Sequence, residues 1–72
     1  MRLIINFKKD ETRDIAKEYL EKRKVETSIN SFGGLVIQVK NVSYYKGLFS
    51  IEIDTMISIF VNVDDVTEIE VS

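Results

Sequence analysis

The sequence predicts an α+β fold of order β-α-β-β-β-β-β, a small, mostly antiparallel meandering sheet with one amphipathic helix packed on one face. Three observations predict it. Apolar residues recur at helical spacing only between about Glu11 and Arg23. They alternate with polar residues through most of the remaining chain, and Gly-containing turns punctuate those alternating runs. The 72 residues are read as one domain, 1–72. A chain of this length buries only about 60% of the surface its unfolded form exposes, so its core is marginal. With no Cys for disulfides and no His for a common metal site, packing or self-association has to supply the missing stability.

Leu3, Ile5 and Phe7 alternate with Arg2, Ile4 and Asn6 and read as the first strand. Lys8-Lys9-Asp10 breaks it, with Asp10 placed as the helix N-cap and Glu11 and Asp14 at the positive end of the helix dipole. Thr12, Ile15, Ala16, Tyr19, Leu20 and Arg23 then define one helical face. Lys22-Arg23-Lys24 closes the helix at the negative end of the dipole, and Glu18 with Lys22 forms a correctly oriented i, i+4 pair.

A second strand is expected over Val25–Ile29, followed by the turn Phe32-Gly33-Gly34. Leu35, Ile37 and Val39 alternate next, but the apolar parity then moves to Val42 and Tyr44. Either a bulge near Lys40-Asn41 or two strands meeting at a bend there produces that change, because one extra residue sends every later side chain to the opposite face.

Lys46-Gly47 is a turn, after which Phe49, Ile51, Ile53, Ile57, Ile59, Val61 and Val63 all hold odd positions. A two-residue loop at Asp54-Thr55 would mix apolar and polar side chains on both faces. A three-residue loop, Asp54-Thr55-Met56, pairs Ile53 with Ile57, Ile51 with Ile59 and Phe49 with Val61 and keeps one face apolar. One long bent strand is the other solution. Asp64-Asp65 forms a turn, and Thr67–Val71 is the last strand, with Ile69 and Val71 in and Glu68 and Glu70 out. A strongly curved small barrel is the structural alternative to an open sheet.

Composition narrows the function. Without His or Cys the commonest general base and the most readily ionised nucleophile are missing, as are the usual zinc and haem ligands. The chain is therefore read as non-enzymatic, with no cofactor. Asp64, Asp65, Glu68 and Glu70 do not follow a calcium-loop pattern and are read as turn and surface residues rather than a metal site. Gly33-Gly34 lacks the rest of a phosphate-binding loop. The apolar run Leu3-Ile4-Ile5 falls short of a signal peptide, and no run is long enough to span a bilayer. The expectation is a soluble cytoplasmic protein.

Charge is divided along the chain. Residues 1–47 hold ten basic and six acidic residues, net +4, whereas residues 48–72 hold six acids and no base, net −6. Of those six acids, Asp54, Asp64 and Asp65 fall at turns. Glu52, Glu68 and Glu70 are left on an outer sheet face that also carries the unexpected aromatic Phe60. That face, or an exposed strand edge, is read as a surface for another protein or for a second copy of the chain. The size and character suit a phage- or plasmid-type inhibitor or regulator of host machinery. The alternative is an accessory nucleic-acid binder using Tyr44, Tyr45, Lys46 and Lys40, since exposed aromatics beside cations stack on bases.

Overall fold

In the first strand, β1 (Arg2–Phe7), the odd-numbered apolar residues turn inward. Leu3 and Ile5 have no solvent exposure in a computed structural model that describes residues 1–72. The helix α1 covers Asp10–Lys22. Asp10 is therefore the first helical residue and not its cap: the cap position is Lys9, whose side chain makes no capping bond. The Asp10 carboxylate accepts instead from Arg13 Nη1 at 3.3 Å and still lies at the favourable end of the dipole.

The helix ends as a Schellman motif. Val25 N–H donates to Leu20 C=O at 3.0 Å and Lys24 N–H to Glu21 C=O at 2.9 Å. Lys24 takes the left-handed conformation that closes the motif, φ 62°. The anticipated Glu18–Lys22 pair forms at 3.2 Å, with Lys17–Glu21 beside it at 2.8 Å.

The inward face of α1 differs from the one its apolar spacing implies. Leu20 is fully buried and Ala16 packs half-buried against the core, but Ile15 is 63% exposed and Tyr19 40%. Arg13, polar by composition, is turned toward the protein, and its guanidinium donates to Gly33 C=O at 3.2 Å. One helix end is thereby tied to the turn between the next two strands.

Those strands are β2 (Thr27–Ile29), shorter than the expected Val25–Ile29, and β3 (Leu35–Gln38). In their connection Asn30 Oδ1 accepts from both Phe32 N–H and Gly34 N–H, at 3.0 and 2.8 Å. Gly34 is buried where the chain passes β1: a Cβ there would lie 2.7 Å from Asn6 Oδ1 and 2.9 Å from Ile4 Cγ2.

The parity change after Val39 marks two strands at a bend. β4 (Asn41–Tyr45) follows β3 after two residues and belongs to a different sheet. Val39 exchanges bonds with Met1, its N–H donating to Met1 C=O at 2.8 Å and its C=O accepting from the amino terminus at 2.9 Å. The next residue, Lys40, donates its N–H to Glu52 C=O at 2.8 Å. The chain thus leaves one sheet and joins the other between adjacent residues.

A tight turn with Lys46 at φ 48° and Gly47 at φ 85° leads into β5 (Leu48–Asp54). Two successive left-handed residues match the strand twist of a two-residue hairpin. β6 (Ile57–Asn62) returns with Phe49 opposite Val61 and Ile51 opposite Ile59, the register that keeps one face apolar. The loop itself differs from the expected three residues. Asp54 pairs with Ile57 across Thr55-Met56, and a bulge between Glu52 and Asp54 supplies the odd residue. Asp54 Oδ1 holds the turn by accepting from Met56 and Ile57 N–H at 2.8 and 3.0 Å.

A 3₁₀ turn over Val63–Asp65, capped by Asn62 Oδ1 accepting from Asp64 N–H at 2.9 Å, carries the chain back to the first sheet as β7 (Val66–Val71).

The result is one helix packed against two antiparallel sheets, ordered β2-β3-β1-β7 and β4-β5-β6. The strand runs β3 to β4 and β6 to β7 form the two corners where chain passes between sheets, the arrangement by which small packed sheets close around one core. The anticipated single sheet is therefore divided in two, with its order of elements preserved. Leu3, Ile5, Leu35 and Ile37 from one sheet meet Ile51, Ile59 and Val61 from the other, and Leu20 closes the cluster from the helix. No helix is long and apolar enough to cross a membrane.

Truncating Leu20 to Ala removes the one fully buried helix side chain and should lower the unfolding free energy by about 3 kcal/mol. Ile15→Ala should change it by less than about 0.5 kcal/mol. Equal losses in urea unfolding would contradict the helix orientation. Gly34→Ala, which presses a Cβ onto the Asn6 and Ile4 side chains, should cost about 1–3 kcal/mol.

Candidate interaction surface

Two sheets enclosing one core leave two outer faces, and the anticipated site residues divide between them. Glu68 and Glu70 stand on the outer face of the sheet containing β1, where they pair in register with Asn6 and Ile4. Phe32, 90% exposed at the tip of the β2–β3 turn, lines a shallow depression there with both glutamates. Glu52 and Phe60 stand on the outer face of the other sheet, opposite Ser58 and Ser50. The acidic surface imagined as one face is two faces, because the strand run changes sheets between β6 and β7.

None of the four ion pairs connects the basic helix region to Glu52, Glu68 or Glu70; all four lie within α1. These strand carboxylates accordingly remain available on the surface. No group of three or more His, Cys, Asp or Glu side chains is arranged to hold a metal ion, and no polar or charged residue is buried.

The outer face of the β4-β5-β6 sheet holds more apolar surface than sequence reasoning assigned to it. Tyr45 is directly opposite Leu48, and Leu48 is diagonal to Phe60, whose own partner is Ser50. Diagonal neighbours in a sheet lie about 7–8 Å apart, within reach of aromatic side chains. Tyr45, Leu48 and Phe60, exposed by 72%, 42% and 66%, form a stripe across all three strands. Ser43, Ser50, Ser58 and Asn62 surround it, and Glu52 flanks it from the next row.

Phe60 also borders a second feature. A groove of about 330 Å³ runs between α1 and β6, lined by Ile15, Ala16 and Tyr19 from the helix and by Ile59, Phe60 and Val61 from the strand. By spacing, Ile15 and Tyr19 share the helical face of Leu20 and are expected to be buried with it. Only the position of the core shows that the buried arc is centred further round the helix, toward Arg13 and Leu20. The Arg23 guanidinium lies 3.6 Å from the Tyr19 ring centroid and covers one face of that ring.

The tyrosine pair is more exposed than the alternation implies. Tyr44 points to the inner side and meets Phe49 with ring centroids 4.9 Å apart, yet it is 56% exposed because the sheet ends there. Tyr45 points outward, with Lys46 Nζ 5.3 Å from its ring centroid. Lys40 lies at the other end of β4, about 17 Å away along an extended strand, and does not join them.

No family model, curated protein or solved structure matches this chain. The fold and surface therefore define its class: a small α+β module whose recognisable feature is an uncovered sheet face bearing an apolar stripe.

Because Phe60 and Tyr45 stand in solvent in the single chain, Phe60→Ser and Tyr45→Ser should each leave its unfolding free energy within about 0.5 kcal/mol of the parent value, measured by chemical denaturation at concentrations too low for self-association. A loss comparable to that from a core truncation would show that the stripe belongs to the packed interior.

Proposed function

We propose that this chain is a non-enzymatic protein-interaction module that engages another protein through the outer face of its β4-β5-β6 sheet. The observation that carries the reading is the diagonal stripe of Tyr45, Leu48 and Phe60, ringed by serines and flanked by Glu52. An apolar centre with a polar rim is the composition of an interface, and aromatic residues supply most of the binding energy at such centres. Glu52 adds a negative margin that favours a partner with a basic rim. Glu68 and Glu70, on the far sheet, contribute to the long-range field and not to the contact itself.

The absence of any buried ionisable side chain favours binding over chemistry, since acid-base catalysis draws on groups whose environment has moved their pKa. Nucleic-acid binding is a second reading, favoured by the exposure of both Tyr44 and Tyr45 and by the ammonium of Lys46 beside Tyr45. It uses the turn end of β4 and leaves Phe60 idle.

The test is affinity capture from cells with the tagged chain, followed by reconstitution of each captured complex from purified components. Phe60→Ser or Leu48→Ser should weaken the reconstituted complex by about tenfold or more, and Glu68→Gln with Glu70→Gln should leave it within about threefold. Complexes insensitive to the stripe would overturn the reading. Salt-sensitive binding of single-stranded oligonucleotides, lost on Tyr45→Ser but retained on Phe60→Ser, would establish the second reading in its place.

A further inference from the structure

The outer strands of the two sheets, β4 and β6 in one and β2 and β7 in the other, each have a strand partner on one side only, and charge distinguishes them. An open edge carries unpaired backbone groups, and proteins guard such edges with charges or by making them short. β2 has only three residues. Pairing β7 with its own copy about Ile69 places Glu68 opposite Glu70 of the other copy. Pairing β4 about Ser43 likewise places Lys40 opposite Lys46. Like charges directly opposite are destabilising.

β6 (Ile57–Asn62) contains no charged residue, and self-pairing about Phe60 places Ser58 opposite Asn62 and Phe60 opposite Phe60. The backbone phase agrees. Val63 N–H donates to Gly47 C=O at 2.8 Å, which makes that pair a hydrogen-bonded one in the β5–β6 ladder. By alternation along the strand, Val61 and Ile59 turn their N–H and C=O toward β5, and Ser58, Phe60 and Asn62 turn theirs away. The outward residues are the ones that a strand centred on Phe60 would pair. β6 has no strand partner besides β5.

We infer that the β6 edge docks a second copy of this chain, antiparallel about Phe60, joining the two β4-β5-β6 sheets into one. This rests on the reading of the chain as an interaction module and names one occupant of that surface. The pairing sets the two Phe60 rings side by side, so the stripes of Tyr45, Leu48 and Phe60 become one continuous band across both copies. On the inner side it closes the groove in which Ile15 and Tyr19 stand exposed, turning the two helices toward each other over the paired strands. Two apolar surfaces without a partner in the single chain acquire one at the same contact. A stable interface buries about 800 Å² per partner, roughly a sixth of the 4886 Å² that the single chain exposes.

The experiment is sedimentation equilibrium of the full chain with Phe60→Lys, Phe60→Glu and an equimolar mixture of the two. Phe60 is 66% exposed, so both variants should fold, which circular dichroism and thermal unfolding verify. The parent should sediment as a dimer, and each variant should self-associate at least about tenfold more weakly, because like charges then face each other at the axis. The mixture should recover a one-to-one heterodimer.

Amide hydrogen exchange gives a second readout: Ser58, Phe60 and Asn62 N–H should be protected in the parent and not in either variant. A monomeric parent, or a dimer indifferent to both substitutions, overturns the inference. If the parent is monomeric yet its reconstituted complex with another protein still depends on Phe60 and Leu48, the second copy is wrong and the interaction module stands. A dimer that behaves as described but reconstitutes with no other protein overturns the module's heterologous partner alone.

Discussion

The structure depends on the bend at Val39-Lys40. Val39 is bonded to Met1 in one sheet and Lys40 to Glu52 in the other, so a single peptide link commits the chain to two layers. Side chains respond at once. Leu35, Ile37 and Val39 point inward on odd positions, and beyond the bend Val42 takes the inner side on an even one. With both layers facing each other, a short chain obtains a core walled on two sides, which one open sheet under a single helix would not provide. The second corner, at Val63–Asp65, returns the chain to β1 and completes the enclosure.

That enclosure explains the modest part played by the helix. Its most extensive strand contacts are with β1 and β2, and among its side chains Leu20 alone is fully buried. Leu20 also accepts the Schellman bond from Val25, so the residue that anchors the helix in the core also takes part in closing its C-terminal end. Arg13 secures the other end through Gly33. Between these two fixings the helix turns Ile15 and Tyr19 toward β6 without covering it, and the groove beside that edge follows.

Charge along the chain acquires a different meaning once the strands are placed. Asp54 accepts from two backbone amides and holds its turn, and Asp64 and Asp65 occupy the 3₁₀ turn rather than a sheet face. Glu68 and Glu70 guard the edge strand β7, and Lys40 and Lys46 bracket the edge strand β4. β6 alone among the longer edges lacks this protection. The division between a basic first part and an acidic last part is then less a sign of two opposed surfaces than of strands protected individually, with the uncharged one left available for association.

Much of this was legible in the sequence wherever neighbouring residues settle the matter. The strand alternation, the Lys46-Gly47 turn, the Glu18–Lys22 pair and the registers Phe49–Val61 and Ile51–Ile59 follow from local spacing, because one buried face permits only one parity. The parity change after Val39 was also visible, although not whether it marked a bulge or a passage between sheets. The hairpin register was sound while its loop was not, since a bulge at Glu52–Asp54 and an odd-numbered loop have the same effect on every later residue.

Which apolar residues remain outside was decided by tertiary structure alone. Ile15 and Tyr19 satisfy helical spacing as well as Leu20 does, and Glu52, Glu68 and Glu70 share one parity. Spacing states which residues share a side of an element, but only the location of the core states which side is inside and which sheet the element has joined.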